Sequence, residues 1–291
     1  MELNVFLEQV TFVTVLFQKR WMDSDCIQSL EKIAKVFNIS IEVIVFDNSP
    51  YVNETKPYSD LITFTYNENT VNTGVSEAYN KAAQISWQKG KKWILITDSD
   101  FSFDVRLLKA YCKGITEYPH CSLFSPILTC EKKIVSPYKK KLHRYKILKQ
   151  VKPGEYNSDR ISIINSGILC KVDVFMKTGG YNPFVMLDFS DDWFIKKYSQ
   201  YYSSLVIVDY STNHKLSSFE KITAKAAIER FRMYCAGSYQ MSKLYTDGYW
   251  FFIWSFLRSI RLCTKYWNLY FLKIPFSQWK NASSKKNSVE E

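Results

Sequence analysis

Short apolar runs alternate with longer amphipathic segments over the first two thirds of the chain. "TFVTVLF" (11–17) and "IEVIVFDNS" (41–49) are apolar almost throughout, as strands covered on both faces are, whereas residues 25–37 set Ile27, Leu30, Ile33, Ala34 and Phe37 at helical spacing. This is a βαβ opening. A second unit follows with "ITFTYN" (62–67), a helix over Ser76 to Lys89 and the strand "WILITDSD" (93–100); crossovers of this kind build a parallel, doubly wound sheet. Leu107 to Tyr118 reads as a helix and "CSLFSPIL" (121–128) as the next strand.

Residues 131–160 break the rhythm. Lysines such as Lys133, Lys139, Lys140 and Lys141 crowd among few apolar positions, and the stretch reads as a mobile basic excursion. Order returns with "ISIINSGILCKVDVFMKTGGYN", a strand, a turn, a short helix and a Gly-Gly stop, then with "LDFSDDWFIKKY" leading into a helix and "SSLVIVDYSTNHK" as a final strand and its loop. Beyond Phe219 the alternation ceases: 220–245 suggest one amphipathic helix, 246–276 are rich in aromatics, and 281–291 are polar and expected to be disordered. The pattern divides the chain into 1–218, 219–280 and a tail.

With 291 residues and 46% hydrophobic content, the chain buries a sizeable core without staples. Its seven cysteines are scattered without CxxC or Cys/His pairing, which argues against a structural zinc site and fits a reducing compartment. The N-terminus lacks the features of a signal peptide, and the run from Val10 to Phe17 is too short to span a bilayer. A net charge of +11 calls for an anionic partner: nucleic acid, a phosphorylated ligand or an anionic membrane surface.

Three polar clusters follow strands or open a helix. Asp47 and Asn48 follow "IEVIVF", Asp98 and Asp100 follow "WILIT", and Asp188, Asp191 and Asp192 stand at a helix entrance. In an open α/β sheet the carboxyl ends of the strands face one crevice, so clusters far apart in sequence converge there. Taken singly each has a plain structural reading, as a turn former or as a complement to a helix N-terminus. A DxD at a strand end supplies the oxygen ligands that Mg²⁺ or Mn²⁺ takes beside phosphate and water.

In order and spacing, "VTVLF", "IEVIVFDNS", "NTGVSEAYNKA", "WILITDSDF", "INSGILCKVDVFMKTGGYN" and "LDFSDDWFIKK" resemble the family two inverting glycosyltransferases with the GT-A fold, with bacterial rhamnosyltransferases nearest in flavour. The resemblance covers about residues 10 to 216. It implies an α/β, Rossmann-like, mostly parallel sheet flanked by helices, with a nucleotide-binding half over 10–100, an acceptor-binding half over 101–218 and a helical, aromatic-rich C-terminal extension. It also implies transfer of a sugar from a nucleotide-sugar donor, dTDP-rhamnose or alternatively a UDP-hexose or UDP-galactofuranose, to a glycan or lipid-linked glycan in bacterial surface polysaccharide synthesis.

By the same resemblance Asp47 meets a pyrimidine base, Asp98 the ribose side, and Asp98 with Asp100 a divalent cation. Asn72, Gly74 and Asn80 lie under the nucleotide, and Asp191 is the general base that takes the acceptor proton. Asp188 and Asp192 serve sugar or acceptor. His214 stands where relatives carry a histidine near diphosphate or metal, although an ordinary loop histidine is an equal reading. Lys197, with Lys196, replaces an arginine of the family, and a lysine meets phosphate as a point charge without bidentate geometry.

A nucleotidyltransferase is a rival, but "VTVLFQKRW" lacks the glycine-rich phosphate loop. A basic, non-catalytic membrane or nucleic-acid binder is another; acidic groups in a groove repel phosphate unless a metal intervenes, so nucleic acid is not expected as partner. The aromatic extension mixes Trp250, Trp254, Tyr266, Trp267 and Tyr270 with Arg258, Arg261, Lys265 and Lys273. That composition suits either an anionic membrane interface or packing against the rest of the chain or a second copy, and leaves oligomeric state open. The expected location is cytoplasmic, peripheral on the inner face of the membrane in the first case.

Overall fold

A computed structural model describes residues 1–50, 55–69, 72–214 and 222–284. The apolar runs become strands β1 (Val10–Leu16), β2 (Ile41–Asp47), β3 (Ile62–Glu68) and β4 (Trp93–Asp98), parallel to one another in the order β3-β2-β1-β4. Helices α2 (Asp25–Phe37) and α3 (Gly74–Gln88) are crossovers, α1 (Leu3–Gln9) precedes β1, and α4 (Val105–Glu117) follows β4. Ser24 caps α2 by accepting from the Ile27 N–H, and Asp104 caps α4 by accepting from the Arg106 N–H.

Strand periodicity sorts the core. On β1, β2 and β4, Phe12, Val43, Val45 and Leu95 face one layer with α1, α2 and α4, while Val13, Ile44, Ile94 and Ile96 face the other. The second layer is closed by α3, by α5 (Val172–Lys177) through Val174 and Phe175, and by α6 (Ser190–Ser199) through Phe194, Ile195 and Tyr198.

Beyond β4 the sheet is mixed. β10 (Ile168–Lys171) runs antiparallel between β4 and β5 (Leu123–Cys130), and β11 (Ser204–Asn213) lies parallel to β5. The expectation of a mobile excursion over 131–160 is corrected: β6 (Lys133–Ser136) pairs with β5, β7 (Lys139–Lys141) with β8 (Arg144–Lys146), and β9 (Gly154–Asn157) edges the sheet beside β11. The reason is tertiary. His143, in the β7–β8 turn, stacks on Phe251 with ring centroids 4.7 Å apart, and Arg144 lies 4.6 Å from the ring centre of Trp254.

Both aromatics lie on α8 (Tyr249–Tyr266), which packs with α7 (Ala224–Ser242) and α9 (Tyr270–Ser284) around a core of Ala227, Phe231, Cys235, Phe271 and Ile274. The unit packs on the acidic segment: a Cβ at Gly237 would lie 2.9 Å from the Asp188 carbonyl oxygen, so only glycine lets α7 approach so closely. Phe189 meets Tyr234 with centroids 4.9 Å apart. Among the described residues no helix is long and apolar enough to cross a membrane. The aromatic extension divides its labour: Trp254 donates to the Leu142 carbonyl at 2.8 Å and Arg258 lies 4.0 Å from the Tyr234 ring centre, whereas Trp267 is 94% exposed. Of the tail expected to be disordered, 281–284 end α9 and 285–291 lie outside the described residues.

Candidate active site

Register brings the first two clusters together. Leu16 pairs with Asp47 and Val15 with Asp98, so the two acids end the strands on either side of β1, roughly 10 Å apart at two inter-strand spacings. Asp47 is buried; its Oδ1 accepts from the Ser49 N–H at 3.0 Å and its Oδ2 from the Tyr66 hydroxyl at 2.7 Å. Asn48 donates to the Gly74 carbonyl at 3.2 Å and accepts from Asn69 at 2.8 Å, tying the ends of β2 and β3 to the start of α3.

The loop into α3 is built as its sequence implies. Gly74 has φ +79°, and a Cβ there would meet the Met186 carbonyl oxygen at 2.7 Å, so the position demands glycine twice over. Asn72 Oδ1 accepts from the Gly74 N–H at 2.9 Å. Asn80 works nearly two turns further on, donating to the Tyr181 carbonyl at 2.8 Å and accepting from the Tyr181 N–H at 2.9 Å. In this geometry Asn80 anchors the backbone that leads to the acidic segment.

At the end of β4 a donor set assembles. Ligand atoms of Asp98, Asp100 and His214 lie within 4.8 Å of one another. His214 arrives because β11 is parallel to β5 and ends at the same edge of the sheet; its Nε2 is 3.5 Å from Asp98 Oδ2. Burial and then the Asp98 carboxylate raise the Asp100 pKa. Carboxylate oxygens with one imidazole suit Mg²⁺ or Mn²⁺, so the residues fit the cation that the sequence motif calls for.

The third cluster opens α6. Asp192 is heavily partnered, accepting from the Tyr138 hydroxyl at 2.6 Å and the Ser162 hydroxyl at 2.8 Å and pairing with Lys140. Asp191 takes one backbone N–H, that of Asp192, at 2.8 Å. Burial, and next the Asp192 carboxylate, push Asp191 up to about 8. Asp188 leaves its buried Oδ2 without a hydrogen-bond partner among the described residues. Lys197 sits in the last turn of α6, about 9 Å along the axis from Asp191.

Two adjacent residues bridge the clusters. The Ser166 hydroxyl donates to Asp98 and lies 3.3 Å from His214 Nε2, while Asn165 donates to the Ser190 hydroxyl at 3.1 Å and accepts from the Tyr181 hydroxyl at 2.8 Å. In sequence these residues, with Gly167, are simply part of the run "INSGILC". Their position before β10, beside Ile96 of β4, gives them a role in holding the site, and the Gly167 N–H fixes them by donating to the Ile96 carbonyl at 2.9 Å. Tyr138, Lys140 and Ser162 were missed for another reason: they lie in or beside the segment read as an excursion.

One exclusion also changes. His120 and Cys121 are neighbours in sequence, and with Glu155 their ligand atoms gather within 4.8 Å, so Cys/His pairing does occur. Burial raises the Cys121 pKa, keeping it a thiol beside the Ser204 hydroxyl at 3.3 Å, while His120 pairs with Glu155 at 3.2 Å. The donors therefore satisfy local partners.

No protein-family model matches the sequence, and no curated protein sequence does. Among solved structures, the chain is similar to the mannosyltransferase PcManGT from Pyrobaculum calidifontis, in complex with GDP-Man and Mn²⁺, at 14% identity and TM-score 0.50 over 95% of this chain and 75% of that one. At such identity the likeness speaks for architecture alone. The chain has a GT-A-like α/β fold, its mostly parallel central sheet flanked by helices and followed by aromatic-rich C-terminal helices.

Proposed function

We propose that the chain is an inverting glycosyltransferase that uses a nucleotide-sugar donor. The observation that carries this reading is the bridge through Asn165 and Ser166, which ties a cation-ready donor set at one strand end to a carboxylate of raised basicity on α6. Asp98, Asp100 and His214 would hold Mg²⁺ or Mn²⁺, which would neutralise charge growing on the diphosphate. Asp47, Asn72 and Gly74 shape the nucleotide side, and Lys197 offers a point charge.

Asp191 takes the proton of the acceptor hydroxyl as that oxygen bonds to the anomeric carbon. The bond to the diphosphate breaks with its electron pair leaving on the nucleotide, and attack from the opposite face inverts the centre. Asp192 is the poorer base because Tyr138, Ser162 and Lys140 already claim it. Asp188 is assigned to the sugar or acceptor by the motif order; its Oδ2 is buried and has no hydrogen-bond partner among the described residues.

The motif order favours dTDP-rhamnose as donor and a UDP-hexose or UDP-galactofuranose next; the complex of the similar mannosyltransferase adds GDP-mannose to the comparison. Calorimetry with dTDP, UDP and GDP in Mn²⁺ and in EDTA tests the reading. One nucleotide should bind in Mn²⁺ and lose most of its affinity in EDTA, and absence of binding by all three would sink it.

A glycan acceptor carried on a lipid places the enzyme at a membrane. Trp267, Leu269 and Tyr270 are exposed at the α8–α9 turn, with Lys265 and Lys273 flanking them, as an anionic interface requires. Trp267→Ser with Leu269→Ser should abolish sedimentation with anionic vesicles. Equal sedimentation by this variant would count against the membrane site.

A further inference from the structure

Beside the α6 carboxylates opens a cavity of 470 Å³, a size typical of small-ligand sites. Three parts of the chain wall it: the β7–β8 hairpin, the segment 158–162 with the outer face of α6, and Tyr245 with Asp247 between α7 and α8. Lys140 and Ser162 line it and also contact Asp192, so one layer of side chains separates the cavity from Asp192, the sequence neighbour of the proposed base.

Its charge is unevenly spent. Asp159 pairs with Lys196 at 3.5 Å, Asp247 with His143 at 2.8 Å, and Lys140 is engaged by Asp192. Lys139 and Arg160 remain, both exposed on the wall, and neither has an acidic partner among the described residues. Below them Ile161 and Ile195 form an apolar floor. Two free cations over an apolar floor match an organic phosphate, charged at one end and carbon-rich at the other.

We infer that this cavity binds a phosphate or diphosphate group of the acceptor through Lys139 and Arg160, holding the acceptor while its hydroxyl reaches Asp191. The inference deepens the glycosyltransferase reading and rests on it for the word acceptor. The phosphate can belong to a lipid diphosphate or to a soluble sugar phosphate, whose shared chemistry is what the cations recognise.

The test is calorimetry on the full chain with inorganic pyrophosphate in EDTA, which removes the cation route to the strand-end cluster. Lys139→Glu with Arg160→Glu should weaken pyrophosphate about tenfold or more, since contacts to charged groups are at stake, and Arg160→Lys should keep most of the affinity. Asp100→Asn should leave pyrophosphate binding in EDTA unchanged. Geranyl diphosphate and glucose 1-phosphate then assign the source, the tighter of the two naming lipid or soluble acceptor. No binding by wild type, or equal binding by the double variant, overturns the inference. Nucleotide affinity in Mn²⁺ reports separately on the glycosyltransferase reading: its absence while pyrophosphate still binds in the cavity would sink that reading and leave an anion site.

Discussion

The acids at the end of β4 and those at the start of α6 are chemically alike and handled in opposite ways. Asp98 and Asp100 stand with His214 and a serine hydroxyl, with no lysine or arginine in an ion pair with either carboxylate among the described residues. On α6, Lys140, Tyr138 and Ser162 all converge on Asp192, leaving Asp191 with burial and a like charge next door. One set is left short of positive charge and suits a cation; the other has its charge settled on one member, while its neighbour's pKa is raised, as the proposed base role requires. Environment, and not residue type, assigns the roles.

The largest effect that this contrast predicts is on turnover. Asp191→Asn should lower kcat by ~10²- to 10⁴-fold with nucleotide affinity nearly intact, and Asp192→Asn should be milder. If Asp192 proves the essential acid in steady-state assays, the two α6 carboxylates have exchanged roles. Next in size is the cation side: Ser166→Ala should weaken Mn²⁺ affinity by roughly 10- to 100-fold, the usual cost of removing a partner of a metal ligand. Calorimetry with Mn²⁺ measures it, and unchanged affinity would detach Ser166 from the cation site.

Acidity offers a finer probe. As a base Asp191 must be ionised, so kcat/KM should rise with pH through about 8 in wild type. Stability should run the other way. A carboxyl whose pKa is raised from about 3.9 in the unfolded chain favours the fold while protonated; that contribution is whole below the unfolded value and lost as pH climbs through the folded one. Thermal melts of wild type should therefore fall between about pH 4 and pH 8, and those of Asp191→Asn should fall less. Parallel curves would mean that Asp191 ionises without cost.

Smallest is Tyr138→Phe, which removes one donor from Asp192. It should cost about 1 kcal/mol in denaturant unfolding and move the rising limb of kcat/KM to higher pH, because a less neutralised Asp192 repels the charge on Asp191 more strongly. A limb that stays in place would show that Lys140 and Ser162 suffice.

Much of this was written locally in the sequence. The continuous apolar runs gave β1, β2 and β4, and the acids could be read because they follow strand ends whose common edge topology dictates. What local pattern could not show was antiparallel insertion and long-range support. β10 is four residues long, and its direction is set by β4 and β5 on either side. The lysine-rich hairpin is ordered by Phe251 and Trp254, more than a hundred positions away, so no window around Lys140 contains the reason it is structured. Ser166 and Asn165 were visible as letters, but their partners Asp98, His214 and Ser190 meet them only in space.

The reversed direction of β10 has a mechanical consequence. A parallel strand would deliver its C-terminal end to the crevice; β10 delivers its beginning, so Asn165 and Ser166 enter the site from a backbone already clamped to β4. Any hinge opening between the cation cluster and α6 would have to pull apart hydrogen bonds made by consecutive residues of one short connection. The spacing between the strand-end cluster and the α6 carboxylates is thus set when the sheet folds, like the fixed jaw of a vice, and any adjustment falls to the walls around it.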